Sequence, residues 1–247
     1  MVLFLTSSPC DDNVPEGVEL PCIFDVRNGF VENLQACFEP GMSGIIIAAD
    51  PDNHEMNDEM AQTFENCFAY HDMPLSSFTL VDSRNEEELP RLMATAGIVV
   101  LSGGHVPTEN AFFRRLNLRE MMQEYDGIVM GISAGTMNCA SEVYAQPEEA
   151  GEATDPDYER FIEGLGLTWV NVLPHYQKVK NYMIDGMRLF EDVTYQDSHG
   201  RVFYALVDGS YILADEEGTT LFGEAYAVSD GELYPICGEE EFIPLDE

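Results

Sequence analysis

The sequence predicts an α/β protein with a doubly wound, mostly parallel sheet, helices on both faces and short antiparallel strands near the C-terminus. Three observations carry this expectation. Short β-branched apolar runs alternate with helix-length segments from Val2 to Met130. Several runs are nearly continuous, as in Gly44-Ile45-Ile46-Ile47 and Ile98-Val99-Val100-Leu101, which is how strands covered on both faces read. Beyond Tyr211, short alternating pieces sit between Gly and Asp turns, as antiparallel strands do. With no repeat, low-complexity tract or linker, residues 1–247 read as one domain.

Val2 to Leu5 is the first buried strand, followed by a polar loop to Pro21. Asn28 to Phe38 is a helix, since Phe30, Leu34 and Cys37 recur at three- and four-residue spacing. The strand at Ile45 to Ala49 is bounded by Gly44 and Asp50-Pro51. A helix over Asn57–Tyr70, a strand over Phe78–Val81 and a helix over Asn85–Ala96 follow. Acidic residues Glu86 to Glu88 open that last helix, where the macrodipole favours them. Gly97 to Leu101 is a strand ending at Ser102-Gly103-Gly104-His105. A helix over Thr108–Gln123 leads to the strand at Ile128 to Met130. After an acidic loop, Trp169 to Leu173 reads as a strand ending at Pro174-His175-Tyr176. Asn181 to Asp192 reads as a helix, and Phe203 to Val207 as a strand ending at Asp208-Gly209.

The 46 acidic and 11 basic residues give a formal net charge of −35. That excludes nucleic acid, whose phosphates need positive charge, and docking on an anionic membrane. No apolar run is long enough to span a bilayer, and the opening residues lack the basic region of a signal peptide. Six scattered cysteines without a Cys-x-x-Cys motif suggest free thiols in a reduced, cytoplasmic setting. No metal or cofactor is expected, because no ligand-like pattern of His, Cys or carboxylates stands out.

The chemistry centres on Gly131-Ile132-Ser133-Ala134-Gly135. An apolar strand before it and a helix after it make Ser133 a candidate nucleophile on a sharp strand-to-helix turn. The following amides would open towards a developing oxyanion. A serine needs a base, and the base needs an orienting group. Of the five histidines, His54 and His199 fall in polar loops and His71 caps a helix. His105 and His175 lie at strand carboxyl ends, the edge where sites form in such sheets. His175 is the preferred base, and Asp208, at the same edge, the preferred acid.

These marks, Ser102-Gly103-Gly104, the Ser133 motif, Leu173-Pro174-His175-Tyr176 and Ala205-Leu206-Val207-Asp208-Gly209, resemble those of the α-aspartyl dipeptidase (peptidase E) and cyanophycinase group of serine peptidases. That group has a fold similar to class I glutamine amidotransferases. The resemblance spans about Val2 to Ala214 and implies Ser133 as nucleophile, His175 as base and Asp208 as acid. It also implies oxyanion donors at the amides of Gly104 and Ala134. Gly103, His105 and Tyr176 are then expected near the substrate. The sequence departs from the family in carrying His105 where a small polar residue is usual. It also lacks evident basic residues to hold a substrate carboxylate, Lys178 and Lys180 being the nearest to these marks. The expected partner is a small peptide-like substrate, with the chain a monomer or homodimer. An esterase or amidase with the same triad, and a catalytically silent binding protein on this scaffold, are the alternatives.

Overall fold

The computed structural model describes residues 1–246. The elements that build its layers are β1 (Val2–Thr6), α1 (Phe30–Cys37), β2 (Ser43–Ile47), α2 (His54–Tyr70), β3 (Phe78–Val81), α3 (Leu89–Met93), β4 (Ala96–Leu101), α4 (Val106–Arg115), α5 (Leu118–Met122), β5 (Ile128–Ile132) and α6 (Ala134–Asn138). There follow β6 (Glu142–Tyr144), β7 (Phe161–Glu163), β8 (Val172–Leu173), α7 (Tyr176–Val179), β9 (Val202–Leu206), β10 (Tyr211–Asp215), β11 (Gly218–Phe222), β12 (Ala225–Ser229), β13 (Glu232–Cys237) and β14 (Phe242–Leu245).

The large sheet runs β14-β11-β10-β1-β5-β4-β2-β3. β1, β5, β4, β2 and β3 are parallel to one another, and β10, β11 and β14 add antiparallel pairs at the other side. The continuous apolar runs have a direct cause. Successive side chains of a strand point to opposite faces, and here both faces are cores. Leu3, Leu5, Ile45, Ile47, Val99, Leu101 and Val129 enter one core with Phe112, Phe113 and Leu118 of α4 and α5. Phe4, Ile46, Ile98, Val100 and Met130 enter the other with Phe30 and Leu34 of α1 and Phe64 and Phe68 of α2.

A second sheet, β8-β9-β12-β13, lies beside the first core. β8 and β9 are parallel, and the remaining pairs antiparallel. Its inner strand again alternates. Leu206 joins the first core, whereas Phe203 and Ala205 join a third core with Ala134 and Met137 of α6. Because β8 and β9 are parallel, their carboxyl ends emerge together. Those ends carry His175 and Asp208.

Four local expectations are revised. The helix expected over Asn181–Asp192 is a tight hairpin, Met183–Ile184 with Met187–Arg188, followed by a wide helical turn over Leu189–Thr194. Asp185 and Gly186 at the hairpin tip both have positive φ (50° and 83°), a conformation that ends any helix there. The helix expected over Thr108–Gln123 divides at Asn117, which is left-handed (φ 58°). The strand at Trp169–Leu173 shrinks to Val172–Leu173. His54, expected in a loop, is the first residue of α2. The C-terminal strands divide between the two sheets, with β10, β11 and β14 in the large one and β12 and β13 in the small one.

One buried carboxyl underlies the segment after β5. Glu109 on α4 is fully buried, and its Oε2 accepts a hydrogen bond from Asn138 Nδ2 of α6 at 3.0 Å. Burial pushes its pKa well above the usual carboxylate value, against the pull of Asn138. The folded state therefore holds a proton that the unfolded chain releases near pH 4.3. Linkage gives the sign: this group subtracts stability as pH rises above that value, until the folded pKa is passed. Glu109→Gln is expected to flatten the pH dependence of stability above about pH 4.3, as read by urea unfolding at several pH values.

Candidate active site

The turn between β5 and α6 is stapled by three hydrogen bonds, two to the end of β1 and one to the residue after β4. Ser133 N–H donates to Thr6 O (3.2 Å), Thr136 Oγ1 donates to Thr6 O (2.8 Å), and Gly135 N–H donates to Ser102 O (3.0 Å). Crowding explains both glycines of the motif. A Cβ on Gly135 would lie 2.3 Å from Leu101 O, and one on Gly131 would lie 2.7 Å from the Thr136 Cα. Ser133 itself has φ 50° and ψ −110°. Strain of that kind costs roughly 1–3 kcal/mol and persists only where the surroundings impose it. Its effect is to stand the hydroxyl out at the carboxyl edge of the large sheet.

His175 meets that hydroxyl from the second sheet. Its Nε2 lies 3.0 Å from Ser133 Oγ, and its Nδ1 lies 2.6 Å from Asp208 Oδ1. A carboxylate only accepts, so Nδ1 carries the proton and Nε2 is left to accept from the serine. His175 is left-handed (φ 58°), and its N–H donates to Ser7 Oγ at 2.7 Å. Ser7 in turn donates to Asp208 Oδ1 at 2.8 Å. Lys178 Nζ lies 2.8 Å from Asp208 Oδ2, and the Asp208 N–H donates to Gln177 Oε1 at 3.1 Å. Burial acts to raise the Asp208 pKa, but the bonds from His175, Lys178 and Ser7 outweigh it and hold the carboxyl far below its usual value. A depressed carboxylate stabilises the fold above the unfolded value near pH 3.9 and loses that contribution as pH falls further.

The remaining expected site residues are placed as follows. Gly103 abuts the serine, since a Cβ there would lie 3.3 Å from Ser133 Cβ. The amides of Gly104 and Ala134 make no hydrogen bond among the described residues. His105 does not line the hollow beside Ser133. Its Nε2 donates to Glu152 Oε1 (2.8 Å), and its Nδ1 lies 2.8 Å from Thr108 Oγ1. Tyr176, expected near the substrate, instead packs its ring on Phe190 and Tyr226 and does not line the hollow either, because α7 turns it into the third core.

The hollow holds about 200 Å³. Met137, Pro147, Pro174, Val179 and Leu189 give apolar walls, and Gln146, Glu148 and Tyr182 the polar points. Glu152 organises its rim by accepting the N–H groups of Glu148 and Glu149 (2.8 and 2.9 Å) along with His105. The Glu148 residue is exposed as a whole, but protein packed against its carboxyl, then the charges of Glu152 and Glu149, push that group up to about 7. Among the described residues, no lysine or arginine lines this hollow. Ser7, Gln177 and the 146–152 rim escape a motif search. Ser7 alone carries a signal, since it stands at the carboxyl end of β1, on the same edge as Ser133.

A doubly wound sheet with a serine on a strained strand-to-helix turn and an imidazole at its hydroxyl is the architecture of a serine-type hydrolase with a class I glutamine amidotransferase-like fold. The chain belongs to peptidase family S51, the peptidase E family, whose profile matches residues 49–222. It is a serine-type peptidase. The fold is similar to that of a peptidase from an acI-B1 Actinobacterium, with a TM-score of 0.68 at 15% identity, covering 99% of this chain and 96% of that one. It is also similar to a protein from Listeria monocytogenes EGD-e described as a candidate peptidase E, with a TM-score of 0.54 at 15% identity, covering 88% of this chain and 96% of that one. No curated protein matches the sequence. Among the described residues, no helix is long and apolar enough to cross a membrane.

Proposed function

We propose that the chain hydrolyses a small peptide through an acyl-enzyme, with Ser133 as nucleophile, His175 as base and Asp208 as the acid that orients it. The observation that carries this reading is the 3.0 Å approach of His175 Nε2 to Ser133 Oγ, with Asp208 2.6 Å from the other ring nitrogen. His175 takes the hydroxyl proton as Ser133 attacks the amide carbonyl, then protonates the leaving amine. Water repeats the sequence to release the acid. The amides of Gly104 and Ala134 receive the developing oxyanion, each contributing roughly 3 kcal/mol in the transition state. Both sheets supply the machinery, so residues 1–247 act as one catalytic unit. The six free thiols support a reducing, cytoplasmic setting. A fluorophosphonate probe is expected to label Ser133 and no other serine. Absence of labelling in folded protein would count against the reading and favour a silent binding protein.

The substrate is a dipeptide or short isopeptide whose bound residue is neutral or cationic. The lining of the hollow supports this, with apolar walls, Glu148 at the rim and no cation. An aspartyl side chain would meet no counter-charge there. With its carboxyl pushed up to about 7, Glu148 gains negative charge as pH rises through that value. Binding of a peptide with a cationic residue is therefore expected to tighten as pH rises through about 7. Measured as Kd on Ser133→Ala protein, which separates binding from chemistry, the dependence is expected to disappear in the added variant Glu148→Gln. Tighter binding of an aspartyl peptide at every pH would contradict this assignment.

A further inference from the structure

Away from the serine site, three thiols converge. Cys10 opens a two-residue strand that pairs with Ile23–Phe24, and Cys22 immediately precedes that partner strand. Cys67 faces them from α2, and its Sγ donates to Cys22 O at 3.6 Å. All three Sγ atoms lie within 4.8 Å of one another, and none is in a disulfide. Cys22 and Cys67 are buried, and Cys10 is half-buried. Cys22 and Cys67 belong to the apolar core that also holds Phe24, Phe64 and Phe68, where small apolar residues would pack as well as thiols. Packing therefore does not require sulfur at three positions drawn from separate segments.

We infer that Cys10, Cys22 and Cys67 form a binding site for one soft, thiophilic d10 cation of the Zn2+ or Cu+ class. A thiolate–metal bond is about 2.3 Å long, so three sulfurs this close need to draw in by only about half an ångström each. Thiolates select soft ions, and no carboxylate belongs to the group to attract Mg2+ or Ca2+. Binding deprotonates the thiols, so each ion taken up releases up to three protons, one per cysteine, and the net charge of the loaded site is more negative than that of the ion alone. The half-buried edge at Cys10 gives the ion its way in and leaves a further coordination position facing solvent.

The site has a structural consequence. It ties the 7–25 segment to α2 at two points of that segment. The same segment brings Ser7 to Asp208 and to the His175 N–H, and Arg27, just past it, reaches Asp208 O at 3.4 Å. A bound ion thus braces the strap that leans on the His175–Asp208 pair, although the site does not depend on any role assigned to those residues.

The test is titration of the fully reduced protein with Cd2+, followed by sulfur-to-metal charge-transfer absorption and by proton release, and repeated with Zn2+ in competition. One equivalent is expected to saturate the absorption. Cys10→Ser, at the half-buried position, keeps the fold and is expected to weaken binding by more than the about 10–100-fold that loss of an outer-shell partner costs a metal site. Cys67→Ala is expected to do the same where circular dichroism shows it folded. Absence of the absorption in reduced protein, or its persistence in Cys10→Ser, would overturn the assignment. So would a disulfide mapped by peptide mass spectrometry to two of these three cysteines in protein purified under reducing conditions.

Discussion

Replacing Ser133 by alanine is expected to lower kcat on the best small-peptide substrate by on the order of 10⁶-fold, the scale seen when a triad nucleophile is removed from another serine peptidase. Folding should hardly change, because the staples to the turn come from the Ser133 backbone, Thr136 and Gly135, and none uses the Ser133 hydroxyl except the contact with His175. Alanine at this position keeps the same φ of 50°, so the strain of the turn is retained. The residual rate would come from binding and from the amides of Gly104 and Ala134 acting on bound substrate. Steady-state kinetics paired with thermal unfolding check this. A variant that turned over within tenfold of the parent would remove Ser133 from the chemistry.

Asp208→Asn is the second large effect. It is expected to cost about 10⁴-fold in kcat with KM little changed, the pattern of an imidazole held in the wrong tautomer. The cause is local. Asp208 Oδ1 is the acceptor for both His175 Nδ1 (2.6 Å) and Ser7 Oγ (2.8 Å), and an amide nitrogen rotated into that place would face two donors. Lys178 would also lose its carboxylate partner at 2.8 Å, but its side chain is 67% exposed, so that loss contributes little. Comparing Ser7→Ala with Asp208→Asn tests the order of importance. Ser7 touches the acid and the His175 backbone and not the reacting serine, so its removal should cost far less than the loss of Asp208. An equal loss would point to Ser7 as the group that positions the pair.

What could be read in the sequence was what obeys a short period or a local backbone rule. The strands of the large sheet were legible because both faces are cores, which makes Ile45 to Ile47 and Ile98 to Leu101 continuous apolar runs. The Ser133 turn was legible because both flanking glycines answer to steric demands a few residues away. His175 and Asp208 could be found as residues following strand ends. What stayed hidden depends on which strands pair. The small sheet that aligns β8 with β9 has only two residues in β8, too few for a period. The Asp185-Gly186 turn was masked by apolar residues at helical spacing on either side. Tyr176 was placed by its neighbour in sequence, whereas the short helix that follows His175 turns it onto Phe190 and Tyr226. The thiol cluster had no local spacing to betray it, because Cys67 reaches Cys10 and Cys22 only through the packing of α2 on the 7–25 segment.

The serine and its imidazole come from different sheets, and the acid emerges after the last strand of the parallel pair, late in the chain. The spacing of the pair therefore depends on how one sheet docks on the other, so a substitution in the core that α6 shares with β9, at Met137 or Phe203, would be felt at the hydroxyl without touching either partner.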